Sequence, residues 1–211
     1  MSKLRQRAQE HFPAVLLTLI SIIQALALEL LWGKITGTES LWQIDMAALV
    51  DWGMVSVTLL SILQIWIMYS CMVMGFVWLP GLRDSIFPFV IGLQEFMLVS
   101  LIGTEYEGLW LLVLASIFLS ANIMSHLSLK RARQEPANEL FFRGRKPATL
   151  RDFRWAGSVI ITLTVLGIVS TMVDSGSLLL LAAMTLANVV LLIQIFAVRR
   201  LWQAIIRLPD D

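Results

Sequence analysis

Two polar residues, Gln94 and Glu95, interrupt the run FPFVIGLQEFMLVSL, which is otherwise almost wholly apolar. A carboxylic acid in such a setting can take up and release a proton or bind a cation, and burial favours its neutral form. No Lys or Arg lies at the same depth in the other apolar runs. Three roles for Glu95 are therefore open: a neutral carboxyl that joins helices, a proton- or cation-exchanging site, and a contact with a ligand or another chain.

Amides on other apolar runs lie at the depth of Glu95, if each helical residue advances about 1.5 Å. They are Gln24, Gln64 and Asn188, each near the middle of its own run. We predict that these amides surround Glu95 in one polar cavity near the bilayer midplane. Glu29 lies nearer the outer surface, where it is either an interfacial carboxylate or part of a water-filled vestibule.

Helical spacing groups further small and polar residues on faces that we expect to point inward, because an unmet polar group in lipid costs several kcal/mol. The groups are Thr18, Ser21, Ala25 and Glu29; Ser61, Gln64, Met68, Cys71 and Gly75; and Pro88, Gly92 and Glu95. A stripe of Gly157, Thr164, Gly167 and Thr171 predicts close helix packing.

His126 follows Asn122 by one helical turn near the inner end of its run, so the two share a face. A histidine there could gate by pH; the alternative is a solvated interfacial side chain. His11 and His126 are too far apart to share one helix face, so we expect no bis-histidine haem site. The single cysteine, Cys71, allows no internal disulfide.

The elements that would position these residues are six apolar blocks without Lys or Arg. They span residues 12–32, 53–79, 86–103, 109–129, 155–173 and 177–198. A helix of about 20 residues crosses the hydrocarbon core. The chain is 58% hydrophobic and only 15% charged, and strand alternation is absent. We predict an all-α integral membrane protein, a bundle of six transmembrane helices that forms a single domain over residues 1–211.

The basic residues predict the orientation of the bundle. All Lys and Arg except Lys34 fall in segments 1–11, 80–85, 130–154 and 199–211, which lie on one side of a six-span bundle. The positive-inside rule makes that side cytoplasmic, together with both termini. We expect a multi-pass protein of the bacterial plasma (inner) membrane. The basic residues then have a topological role, and no nucleic-acid partner is required.

The longest inner segment, 130–154, is a basic cytoplasmic loop. We predict that Arg143, Arg145 and Lys146, with Arg199 and Arg200 after the last block, contact anionic lipid head groups. Docking of a cytoplasmic partner or a phosphate-bearing ligand is the alternative. Within the loop, ANELFFR is compatible with a short interfacial helix, and TLRD has the form of a capping box.

Motifs for hydrolysis, nucleotide binding and potassium selection are absent from the sequence. We therefore name no catalytic residues, expect no cofactor and leave a metal undecided. The prediction is a small transporter or ion-conducting protein with a midplane site around Glu95, coupled to protons or cations. The alternative is a non-catalytic membrane subunit or regulator. It would dock a membrane partner, or form a homo-oligomer, through its polar helix faces and basic loop. A cavity reaching Glu95 would favour the first function, and a dry bundle the second. A membrane enzyme that acts on a lipid is a third alternative, with Glu29 and Asp51, or His126 and the arginines of the basic loop, as its candidate groups.

Overall fold

The computed structural model describes residues 3–78, 81–147, 153–172 and 177–206, and within these ranges the chain is helical and contains no strand. The helices are α1 (Lys3–Gly37), α2 (Met46–Gly75), α3 (Leu82–Ser100), α4 (Glu107–Ala132), α5 (Glu139–Phe142), α6 (Arg154–Met172) and α7 (Ser177–Ile206). Short 3₁₀ turns cover Glu39–Trp42 and Pro136–Asn138. The prediction of an all-α protein is confirmed for this part of the chain.

Five of the helices, α1, α2, α4, α6 and α7, are long and apolar enough to cross a membrane. The chain therefore has the build of an α-helical integral membrane protein. Helix α3 differs, because its 19 residues include Arg83, Asp84 and Glu95. The sixth span, like the positions of the termini, stays a prediction.

Local capping explains where α2 and α3 begin. The side chain of Asp45 accepts a hydrogen bond from the backbone N–H of Ala48 at 2.8 Å, so α2 starts before the apolar block that we predicted from residue 53. The Asp84 carboxylate accepts from the Gly81 N–H at 2.7 Å, and α3 starts directly after that glycine. Charged residues beyond an apolar block thus extend the helix rather than end it, because their side chains satisfy free N–H groups.

The long helices pack around α2 and α4. Helix α2 packs against α1 and α7, α4 packs against α3 and α6, and α1 and α3 contact each other. One buried apolar core draws residues from all six long helices, with Tyr69 of α2 and Trp110 of α4 among its largest members. The outward faces are apolar too, as Leu63, Leu93 and Ile161 show by their exposure. A continuous apolar exterior of this kind suits lipid rather than water.

Helices α4 and α6 pack closely where Gly108 of α4 faces Gly167 and Thr171 of α6. A Cβ added at Gly108 of α4 would lie 2.7 Å from the carbonyl oxygen of Gly167 and 2.6 Å from Cγ2 of Thr171 on α6. A Cβ added at Gly157, near the other end of α6, would meet no atom within 4 Å. The packing predicted for the small-residue stripe is confirmed at Gly167 and Thr171 but not at Gly157, where an added Cβ would meet no neighbouring atom.

At the basic end, the loop after α4 folds back onto the end of α2. Asn138 accepts a hydrogen bond from the Val77 N–H at 3.0 Å and donates to the carbonyl oxygens of Val77 and Ala132. The ring of Phe76 packs edge-on against Phe141, with 4.9 Å between ring centroids. The predicted short helix in ANELFFR is confirmed as α5, although it faces this aromatic cluster, whereas TLRD lies outside the described residues.

Candidate functional site

Glu95 is completely buried between α3 and α1. The two helices approach closely one turn before it, where a Cβ added at Gly92 would lie 2.6 Å from Cγ2 of Ile23. Pro88, Gly92 and Glu95 are all buried, which confirms their predicted inward face. Because Gly92 has no side chain, α1 lies close to α3 at this point. Gln24, which follows Ile23 on α1, can therefore reach the carboxyl group of Glu95.

The partner of Glu95 is the side-chain amide of Gln24. Its Nε2 donates to Oε2 of Glu95 at 2.9 Å and to Oε1 at 3.2 Å. Gln24 is itself buried, and its Oε1 has no hydrogen-bond partner. In this orientation the amide N–H groups of Gln24 donate to the carboxylate oxygens, which suits the ionised form of Glu95. A protonated carboxyl could instead donate to Oε1 after a 180° rotation of the amide, which preserves the shape of the pair. The pair can therefore hold either protonation state.

Gln94, the preceding residue, faces a different neighbour. Its Nε2 donates to the hydroxyl oxygens of Ser116 and Ser120 on α4, at 3.0 and 3.1 Å. Consecutive residues on a helix point about 100° apart, so Gln94 turns toward α4 while Glu95 turns toward α1. The two polar residues that interrupt the apolar run thus anchor α3 to both of its main neighbours.

The expectation of one cavity shared by all the midplane amides needs correction. Asn188 accepts a hydrogen bond from the Ser56 hydroxyl at 2.8 Å, in the contact between α7 and α2. Gln64 is buried on α2, where it borders a cavity of about 240 Å³ between α2, α4 and α7. Equal depth did not bring these groups to Glu95, because each helix turns its amide toward its own nearest neighbour. Among the three amides, only Gln24 forms a hydrogen bond with Glu95 in the described part of the chain.

The Gln64 cavity is lined by neutral polar groups as well as apolar ones. The Oε1 of Gln64 and the hydroxyl of Ser61, one turn earlier, are buried without a hydrogen-bond partner. Asn122 and Ser125 border the cavity from α4, and Gln194 from α7. The inward face predicted for α2 is confirmed here, since Ser61 and Gln64 are both buried.

Glu29 is exposed and borders an open wedge of about 940 Å³ between the C-terminal ends of α1 and α3. On α3 the wedge is lined by Phe96, which directly follows Glu95, and by Val99, one helical turn beyond Glu95, but Glu95 itself is not in the lining. The inward face predicted for α1 is wrong, because Thr18, like Glu29, is exposed. A small polar side chain can face outward because it can form a hydrogen bond to the backbone of its own helix. The Thr18 hydroxyl does so, since it donates to the carbonyl oxygen of Ala14 at 2.9 Å.

His126 and Asn122 lie on one face of α4, as predicted, and both border a cleft of about 330 Å³ between α4 and α6. The amide of Asn122 donates to the carbonyl oxygen of Phe118 within its own helix, at 2.7 Å. The His126 ring packs edge-on against Phe153, with 5.2 Å between centroids. These contacts leave a gating role for His126 as a prediction.

The basic residues predicted to meet head groups are exposed: Arg143, Arg145, Lys146, Arg199 and Arg200. Arg143 lies 3.9 Å from the carboxylate of Glu139, one turn earlier on the surface. Arg145 holds its guanidinium over the ring of Phe141, 4.1 Å from the centroid. The side chain of Arg133 donates to the backbone carbonyls of Arg145 and Lys146, which fixes this part of the loop.

One charged pair was not foreseen from the sequence. Arg131 at the end of α4 donates to the carboxylate of Asp84 at the start of α3, with 2.6 Å between Nη1 and Oδ2. The sequence analysis assigned the two residues to predicted inner segments, 80–85 and 130–154, but gave no reason to pair them. A signal was available, since Asp84 is the single acid in the predicted inner link 80–85. Asp84 thus caps α3 and pairs with Arg131, which joins the basic ends of α3 and α4.

Within the described ranges, no cluster of three or more His, Cys, Asp or Glu side chains could hold a metal ion. Comparisons with protein-family models, curated proteins and solved structures found no match to this chain. The function is therefore argued from the geometry of the site.

Proposed function

We propose that this chain is a small multi-pass membrane transporter or ion-conducting protein in which the Glu95–Gln24 pair exchanges a proton or a cation. The burial of Glu95 against a single amide carries the proposal. The adjacent Gln94 shows that an amide is enough to tie α3 to a neighbouring helix. A carboxylic acid in the same setting adds a desolvation cost and one further property, the ability to titrate.

The proposal includes α3 as a sixth span. Its 19 residues extend about 28 Å, close to the thickness of the hydrocarbon core. Its position between α1 and α4, both able to cross a membrane, supports this assignment. With six spans, the basic segments share one side, which we place in the cytoplasm with both termini. A bacterial inner membrane is the proposed location.

Access to Glu95 would come from the wedge that Glu29 borders. In the structure α3 contributes Phe96, Val99 and Ser100 to the lining of this wedge, and the Glu95 carboxyl is not part of that lining. Exchange therefore requires α1 to move away from α3 at the contact between Ile23 and Gly92, where the helices lie closest. The structure corresponds to a closed form in this scheme, and opening of the α1–α3 contact is the step that admits the ion.

A second function, that of a non-catalytic membrane subunit or regulator, is favoured by a different observation. The cavities described above, which are bordered by Gln64, by Glu29 and by His126, do not include Glu95 in their linings. A dry Glu95 would serve as a neutral hydrogen-bonding group that joins α1 to α3. In that case the exposed basic loop around Arg143 and the outward faces of α6 and α7 would contact the partner.

Flux measurements in proteoliposomes decide between these functions. Glu95→Gln retains shape and hydrogen bonding but cannot titrate, so we expect a folded protein that loses pH-dependent flux. Glu105→Gln makes the same chemical change in an exposed outer loop and should leave flux unchanged. A folded Glu95→Gln protein with the flux and pH profile of the wild type would contradict the transporter proposal and leave the subunit function.

A further inference from the structure

A cleft between α4 and α6 is not used by the function proposed for Glu95. The helices touch at Gly108 and Gly167, and nearer the basic end a cleft of about 330 Å³ lies between their side chains. Its walls are almost entirely apolar, formed by Leu119 and Ile123 of α4 and Ile160 of α6, among others. Such a space would be filled in a well-packed interior.

The cleft opens sideways toward the surroundings of the protein. Leu119 and Ile123 on its rim are 47% and 44% exposed, so the opening faces the region that lipid occupies. A space of this volume cannot hold even one turn of a further helix, whose diameter with side chains is about 10 Å. An extended hydrocarbon chain fits both the apolar walls and the lateral opening.

The end of the cleft near the basic side of the protein offers polar and cationic groups. His126 borders it and, within the described part of the chain, contacts the Phe153 ring but makes no hydrogen bond. Lys130 lies one turn further along the same face of α4 and is exposed. A phosphate placed there would meet an imidazole donor and an ammonium group at the depth where lipid head groups lie.

We propose that the cleft between α4 and α6 binds an anionic phospholipid from the leaflet on the basic side. One acyl chain lies between the helices, and the phosphate contacts His126 and Lys130. Gly157 keeps the cleft open, because its lack of a side chain leaves space that a larger residue would fill. This site is separate from Glu95 and does not depend on the proposed transport function.

Native mass spectrometry of the full chain in detergent tests the proposal, with phosphatidylglycerol and phosphatidylcholine of identical acyl chains as probes. The wild type should retain phosphatidylglycerol preferentially. Gly157→Leu fills the cleft and should abolish this preference. Gly33→Leu is the matched control, because Gly33 also has open space around it but lies at the outer end of α1; this variant should bind like the wild type.

Lys130→Gln provides an independent measurement on an exposed residue, where folding is not at stake. We expect the preference for the anionic lipid to fall about fivefold, equivalent to about 1 kcal/mol for one charge near the membrane surface. Unchanged binding in folded Gly157→Leu would overturn the acyl-chain site. Equal retention of both lipids by the wild type, or an unchanged preference in Lys130→Gln, would overturn the head-group contact.

Discussion

The close crossing of α4 and α6 predicts opposite effects for the same substitution at two glycines. In Gly108→Ala the new methyl would lie 2.7 Å from the Gly167 carbonyl oxygen and 2.8 Å from the Thr171 backbone nitrogen. Backbone atoms cannot rotate away, so the helices must separate. Overfilling a packed site costs about 1–3 kcal/mol. In Gly157→Ala the methyl enters open space, and replacing a helical glycine stabilises by about 0.5–1 kcal/mol.

The two variants should therefore differ in unfolding free energy by about 1.5–4 kcal/mol, with Gly108→Ala the less stable. Reversible unfolding in mixed micelles, followed by circular dichroism, measures this difference. Adding Thr171→Ser to Gly108→Ala removes the methyl that would lie 2.6 Å from the new Cβ but leaves the backbone contacts, so recovery should be partial. Equal stability of Gly108→Ala and Gly157→Ala would refute the close crossing.

Three further predictions concern the ends of the helices. Asp84→Asn retains a capping oxygen but loses the charge that faces Arg131, so it should destabilise the protein by about 1–3 kcal/mol. A double-mutant cycle with Arg131→Gln should show coupling between the two positions, whereas additive effects would refute the pair. Asn138→Ala removes the hydrogen bonds to the α2 and α4 ends and should make the loop after α4 more sensitive to limited proteolysis; an unchanged cleavage rate would count against the docked loop. In a cysteine-free background, Gln43→Cys should react with an impermeant thiol reagent added to intact cells and Lys146→Cys should not, and the reverse pattern would invert the topology.

The sequence predicts the helical build well, because apolar blocks of about 20 residues have few other stable forms. It predicts helix ends poorly. Helix α2 begins at Met46 because Asp45 caps it, and α3 begins at Leu82 because the Asp84 carboxylate accepts a backbone hydrogen bond. Hydropathy does not register either effect, since both depend on polar residues beyond the apolar block. The Asp84–Arg131 pair was missed for the same reason, because both residues lie outside the apolar blocks that hydropathy detects.

Depth along a helix proved a partial guide to the site. It placed Gln24 beside Glu95 correctly but also grouped Gln64 and Asn188 with them. Depth fixes one coordinate only, and contact also requires that the two helices be neighbours and that both side chains face each other. The order of the helices in the bundle, with α3 between α1 and α4, is set by packing that a single sequence does not display.

The opposed directions of Gln94 and Glu95 constrain how α3 can turn. A helix rotates about its axis as one rod, so a rotation that withdraws Glu95 from Gln24 must also carry Gln94 away from Ser116 and Ser120. In the proposed exchange at Glu95, a change in the Glu95–Gln24 pair would therefore be linked to the hydrogen bonds of Gln94 on the other side of α3. A rotation of α3 that accompanies this exchange would therefore also shift its contacts with α4. Because α4 packs against α6 as well, the site is connected to α6 through α4.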